Sequence, residues 1–324
     1  MERRWGEGLL NGFYYAAGLL FLQMAKSKSA LRGYADPKPF TMQQLDRCVD
    51  YDLALVDRWL AELERYLGPG AGVEGKSVLE IGPGSDLGAG LYLLACGAAC
   101  YRAVDKFRLA ASAPQSFYAR LFERLRAQVP HCDLESLRRA VGDVPGAVDG
   151  RLQYVVRSDF NIAAAVPERS VDVVFSNAAF EHLDDVENTL HQISRTVRPG
   201  GVLVSEVDLR THSRWIRDKD PNNIYRYSDR TYRRFRFPGI PNRVRPQQYR
   251  ECLEANGWGR IEIRPASMLA TELLPRNAYL ADSFRDMHNK MEYLTVILCA
   301  TKLTSAPAPA SVSAAGPGAR SAAQ

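Results

Sequence analysis

The run Val78-Leu79-Glu80-Ile81-Gly82-Pro83-Gly84-Ser85-Asp86 constrains the fold more than any other stretch of the chain. A short apolar strand carrying one acid breaks into a Gly-Pro-Gly turn, and the apolar residues 87–94 supply the helix that such a turn feeds. Glycine at 82 and 84 removes Cβ atoms where the backbone must turn sharply, and it lets a ligand lie against the main chain. A plain strand-to-helix corner has the same composition, so the turn alone leaves its ligand to be decided by context. The dinucleotide fingerprint G-x-G-x-x-G needs a third glycine where this chain has Leu87, which argues against a nicotinamide or flavin site.

The segments that follow repeat one rhythm. Residues 101–104 read as a second strand ending at Asp105, 152–156 as a third ending in Ser158-Asp159-Phe160, and 171–175 as a fourth ending in Ser176-Asn177. Residues 186–197 read as a helix closed by Arg198-Pro199-Gly200-Gly201, and 202–207 as a fifth, continuously apolar strand. Alternation of this kind predicts a parallel sheet covered on both faces by helices. Upstream, Thr41 and Gln44 are spaced as a capping box, and Leu45, Val49, Leu53, Val56, Leu60, Leu63 and Leu67 form a helical stripe leading into the first strand. Downstream come a loop-rich segment at 208–245, a helix at 246–256 and two late strands at 260–264 and 293–301. A helix is expected within 270–289.

With 324 residues, 46% of them hydrophobic, the chain has ample material for a core. A net charge of +5 is too mild to point to nucleic acid. The six cysteines contain no C-x-x-C pair, which argues against a zinc site and a disulfide framework and for a reducing, cytoplasmic compartment. Residues 1–40 form a separate N-terminal helix and linker. Arg3 and Arg4 precede an apolar stretch at 9–25 that resembles a signal peptide but is interrupted by Asn11, Gly12, Gly18 and Gln23. The helical spacing of Leu9, Phe13, Ala17, Leu20 and Met24 predicts a helix packed on its own domain, with peripheral membrane contact as the other reading. The main domain spans 41–303, and the Ala/Pro/Ser-rich residues 304–324 are expected to be disordered.

Taken in order, Glu80-Ile81-Gly82-Pro83-Gly84, Asp105, Asp159-Phe160, Asn177 with Glu181-His182-Leu183, and Arg198-Pro199-Gly200-Gly201 resemble the landmarks of class I S-adenosylmethionine-dependent methyltransferases, over roughly residues 76–303. The resemblance implies a Rossmann-like α/β three-layer sandwich whose seven-stranded, mostly parallel sheet has the order 3-2-1-4-5-7-6, the last strand antiparallel. It implies S-adenosyl-L-methionine as cofactor. Gly82 and Gly84 would admit its methionine part, with Glu80 ordering the loop and helping to hold the ammonium, directly or through water; Asp105 would accept from both ribose hydroxyls. Asp159 would take the adenine amino group, Phe160 would lie against the ring, and Asn177 would hold the amino-acid end. Asp86 departs from the pattern, standing where many relatives keep a small glycine.

Methyl transfer from a sulfonium is an in-line displacement, so acceptor positioning supplies much of the acceleration. An alcohol acceptor needs a base in reach. His212 is the candidate, with Asp208 as its orienting partner; His182 and Glu181 are alternatives. No metal site is expected. Between 226 and 250 eight arginines face one acid, Asp229, among five aromatic residues. Arg226, Tyr227, Arg243 and Arg245 are the candidate grip on an anionic, sugar-type acceptor. The insertions 107–150 and 208–245 would form the lid and acceptor pocket. The sequence therefore reads as a methyltransferase acting at oxygen of a small or glycan acceptor. An N-methyltransferase, an RNA- or lipid-directed enzyme and a non-catalytic docking module stay open, as does the oligomeric state.

Overall fold

Every strand expected from the sequence forms, with helices packed against both faces of the sheet. In the computed structural model, which describes residues 2–33, 38, 40–142 and 150–304, the order is α1 (Glu2–Arg32), α2 (Leu45–Leu67), β1 (Ser77–Ile81), α3 (Gly88–Ala95), β2 (Cys100–Asp105), α4 (Gln115–Gln128), α5 (Leu134–Gly142), β3 (Leu152–Val156), α6 (Ile162–Ala165), β4 (Val171–Asn177), α7 (Val186–Thr196), β5 (Val197–Asp208), α8 (Asp229–Arg233), α9 (Pro246–Ala255), β6 (Trp258–Met268) and β7 (Tyr293–Lys302). The tail expected to be disordered lies, from residue 305 onward, outside the described residues.

The seven strands make one sheet of order β3-β2-β1-β4-β5-β7-β6, with β7 antiparallel to both β5 and β6. The chain leaves β1, builds β2 and β3 on one side, and returns to lay β4 and β5 on the other. That reversal opens a crevice at the carboxyl ends of β1 and β4. Alternate strand residues feed two cores. Val78, Tyr101, Phe175 and Val204 pack under α2, α3 and α4, and Leu79, Val104, Val174 and Leu203 pack under α7 and α9. Trp59 of α2 stacks on Phe175 with ring centroids 4.8 Å apart, and burial of such a side chain stabilises by about 1.5–3 kcal/mol.

Four local expectations are corrected. Thr41 makes no side-chain cap bond; the Gln44 amide bonds to the Thr41 carbonyl at 2.8 Å, so main-chain groups close a 3-10 turn before α2. Arg198-Pro199-Gly200-Gly201 lies inside β5, whose pairing with β4 shifts register between Val171 and Val173 to absorb the extra residues. The helix expected within 270–289 is instead three 3-10 turns, the longest, Thr271–Tyr279, carrying Pro275 inside it, and proline cannot donate the amide that an α-helix needs there.

The fourth concerns α1. Leu9, Phe13, Leu20 and Met24 do not pack on the domain but are 76%, 64%, 60% and 54% exposed. The opposite face, with Asn11, Tyr14 and Gly18 buried, is the one that docks. A Cβ at Gly18 would sit 1.9 Å from Asn223 Oδ1, so the missing side chain is what lets the helix lie against the turn Asn223–Arg226. Asn223 Nδ2 donates to the Tyr14 carbonyl at 2.9 Å. No helix among the described residues is long and apolar enough to cross a membrane.

Candidate active site

At the end of β1 the backbone takes positive φ at Gly82 (73°) and Gly84 (76°), a region that costs little only for glycine. A Cβ at Gly82 would also stand 2.8 Å from Ala179 Cβ. The turn therefore needs glycine on conformational and on packing grounds. Over it opens a cavity of about 760 Å³, lined by the carboxyl ends of successive strands: Asp105 after β2, Asp159 and Phe160 after β3, Asn177 at the end of β4 and Asp208 at the end of β5. Six of the seven residues expected at the cofactor thus share one wall.

Glu80, the seventh, stands apart. It does not line the cavity; it lies buried beneath the turn, where the Tyr101 hydroxyl donates to its carboxylate at 2.5 Å. Burial pushes its pKa up to about 7 from 4.5, against the lowering effect of the Tyr101 bond. A carboxyl that holds its proton more tightly when folded stabilises the fold at low pH, and that contribution is lost as pH rises through the window from 4.5 to 7. At 1.36 kcal/mol per pKa unit the loss is about 3 kcal/mol. Urea denaturation of the ligand-free chain between pH 4.5 and 7.5 should show a decline smaller by about this amount in Glu80→Gln. An identical pH profile in that variant would mean that Glu80 does not titrate there.

The other residues of the wall differ in how their polar atoms are engaged. Asp105 Oδ1 accepts from the Phe107 amide at 3.0 Å. Burial raises its pKa although the amides of Phe107, Lys106 and Gly84 favour the charged form. Arg157 grips Asp159 through both carboxylate oxygens, at 2.9 and 2.7 Å, and holds its pKa below the usual range. Asn177 Nδ2 donates to the Tyr51 hydroxyl at 2.8 Å, whereas its Oδ1 is buried without a partner.

Lys38 and Asp52, which sequence reasoning did not assign to the site, close the wall beside the turn together with Asp86. Lys38 Nζ reaches Asp52 at 2.5 Å and Asp86 at 2.7 Å. Burial alone would lower the lysine pKa, but the two carboxylates outweigh it and hold the ammonium above its usual value. Asp86 Oδ1 also accepts from the Gly88 amide at 2.8 Å, so the departure from the family pattern is a paired carboxylate anchoring the start of α3. A buried acid at 52 on the apolar face of α2 was the available signal.

The cavity lining also carries Glu181, His182 and His212, with one potential ligating atom from each lying within 4.8 Å of the others. The two imidazole centroids are 4.8 Å apart. Glu181 Oε1 accepts from the Asp208 amide at 3.3 Å, while Glu181 Oε2 and His182 Nδ1 are buried without partners. Asp208 accepts from the Arg210 amide at 3.0 Å, from Arg210 Nε and Nη2 at 2.9 and 3.0 Å, and from Arg217. His212 Nε2 is 3.9 Å from Asp208 Oδ2, beyond a hydrogen bond. Burial lowers the pKa of His182; burial and the neighbouring His182 take His212 down to about 4. Both rings are therefore neutral at pH 7. Burial, with Asp208 nearby, pushes Glu181 well above the carboxylate range.

The expected arginine grip is corrected outright: none of Arg226, Tyr227, Arg243 and Arg245 lines the cavity. Arg226 is buried in a two-pronged pair with Asp220, at 2.7 and 3.0 Å. Arg243 donates to the carbonyls of Tyr227 and Ile224 at 2.7 and 3.2 Å and pairs with Asp229. Arg245 is fully buried and donates to the carbonyls of Asn289, Lys290 and Tyr293 at 2.9, 2.5 and 3.1 Å. The Tyr227 hydroxyl lies 2.8 Å from Asn223 Oδ1 and 3.1 Å from the Tyr15 carbonyl. These groups hold the 208–245 segment together.

A sheet of this order, with a glycine turn and acids at the ends of successive strands, defines a Rossmann-like S-adenosylmethionine-dependent methyltransferase. A family model described as a methyltransferase domain matches residues 51–262, and the chain belongs to that family. Its cofactor is S-adenosylmethionine. The sequence matches no curated protein. Similar solved structures include an S-adenosylmethionine dependent methyltransferase from Mesorhizobium loti, 14% identical with a TM-score of 0.41, covering 75% of this chain and 96% of the other. Haemonchus contortus phosphoethanolamine N-methyltransferase 2 with bound S-adenosyl-L-methionine is 17% identical, with a TM-score of 0.40 over 76% of this chain and 52% of its own. The CurJ carbon methyltransferase is 17% identical, with a TM-score of 0.42 over 94% and 71%.

Proposed function

We propose that this methyltransferase acts on a hydroxyl oxygen of a small, uncharged, sugar-type acceptor. The cavity wall carries eight acids against four lysines and arginines, a balance that disfavours the anionic acceptor expected from the sequence. When bound, S-adenosylmethionine supplies an electrophilic methyl carbon on a sulfonium. In this reading Asp105 accepts from both ribose hydroxyls, a task suited to two carboxylate oxygens. Asp159 accepts from the adenine amino group, Phe160 lies against the ring, and Gly82, Gly84 and Asn177 receive the amino-acid end, where the unpartnered Asn177 Oδ1 takes a donor.

The observation that carries the acceptor class is the cluster of Glu181, His182 and His212 on the cavity lining, where Glu181 Oε2 and His182 Nδ1 are buried without partners and the His212 ring is neutral. Unpaired groups of this kind suit a substrate group that can both donate and accept, as a hydroxyl does. A pKa near 4 makes His212 a weak general base, so this cluster serves chiefly to orient the hydroxyl. Incubation with S-adenosylmethionine carrying a carbon-13 methyl, together with a panel of hydroxylated metabolites, should give a product whose methyl carbon resonates as an ether. A methyl found on nitrogen or carbon would refute the hydroxyl assignment.

A further inference from the structure

We infer that Glu181, His182 and His212 form a site for a borderline divalent transition-metal ion on the cavity lining. Two segments, one after β4 and one after β5, bring a carboxylate oxygen and two imidazole nitrogens within 4.8 Å of one another. Ligand atoms held at about 2.1 Å from a shared ion lie about 3.4 Å apart, so small side-chain rotations close the set. Two of the three residues present buried polar atoms that nothing satisfies, Glu181 Oε2 and His182 Nδ1. Buried polar atoms without partners are uncommon and call for an explanation.

The surroundings match what metal-bound imidazoles require. The Gly239 backbone hydrogen-bonds the His182 ring, the kind of outer partner that fixes ligand orientation. One carboxylate and two imidazoles suit Zn²⁺, Fe²⁺, Co²⁺ or Mn²⁺ and leave coordination positions open toward the cavity. There the ion would bind the acceptor hydroxyl and lower its pKa, a role that rests on the hydroxyl reading above. The hydroxyl proton then leaves to solvent, the oxygen forms its bond to the methyl carbon, and the carbon–sulfur bond breaks with its electron pair remaining on sulfur.

Binding is read without any acceptor. Tag-free protein stripped with a chelator and titrated with Co²⁺ should develop a visible ligand-field band that saturates at one ion per chain and is bleached by Zn²⁺. His212→Ala and Glu181→Gln should each weaken Co²⁺ binding by at least about tenfold, while retained S-adenosylhomocysteine binding shows that both variants are folded. Absence of the band, or a band unchanged in either variant, overturns the site. That failure would leave the hydroxyl reading intact, because the position of the transferred methyl is measured separately. Conversely, a saturable Co²⁺ band together with a nitrogen- or carbon-methylated product would keep the site and remove its proposed role on a hydroxyl.

Discussion

Asp105→Ala is expected to weaken S-adenosylhomocysteine binding by on the order of 100-fold, the equivalent of about 3 kcal/mol. The carboxylate stands on the cavity wall at the end of β2, and its replacement removes both oxygens proposed to accept from the ribose. Thermal shift reads the effect directly. At a ligand concentration near 100 times the wild-type Kd, the wild-type chain gains about 2.7 kcal/mol, whereas a variant bound 100-fold more weakly gains only about 0.4 kcal/mol. Asp105 Oδ1 also accepts from the Phe107 amide, so each variant is compared with its own ligand-free Tm. Full retention of the shift in Asp105→Ala would remove this residue from the ribose site.

Arg245→Met is expected to lower stability by about 3–5 kcal/mol while leaving S-adenosylhomocysteine affinity unchanged at a temperature where the variant is folded. The guanidinium is fully buried and satisfies three carbonyls on the Asn289–Tyr293 side of the molecule. Methionine fills similar space but leaves those carbonyls without donors, each a desolvation cost of about 1–3 kcal/mol. Chemical denaturation should show the loss as a lower midpoint, and Arg236→Ala, at an exposed position, should show almost none. If Arg245 instead gripped an acceptor, the midpoint would hold and only the KM for the acceptor would rise.

The contrast between these two residues marks what was legible in the sequence. Strand positions and the acids at strand ends were readable because apolar periodicity and glycine punctuation are local signals; the sheet order followed from the family resemblance alone. The arginines of 226–250 were misread because a local count of charges omits main-chain carbonyls, and because Asp220, the partner of Arg226, precedes that window. The face of α1 was misassigned for a related reason. Its apolar stripe was visible, but the docking face is chosen by Gly18, whose missing Cβ has meaning only beside Asn223 and Tyr227. Lys38 and Asp52 meet Asp86 only in three dimensions. The convergence of Glu181 and His182 with His212 likewise depends on how β4 and β5 lie side by side, although each residue was already a candidate.

A crystal structure of the chain with S-adenosylhomocysteine is the most direct measurement. The expected density places the ribose on Asp105, the adenine between Asp159 and Phe160, the amino-acid end over Gly82 and Gly84, and the sulfur facing Glu181, His182 and His212. Ligand density elsewhere, or a sulfur turned away from those three side chains, would contradict the assignment of this cavity.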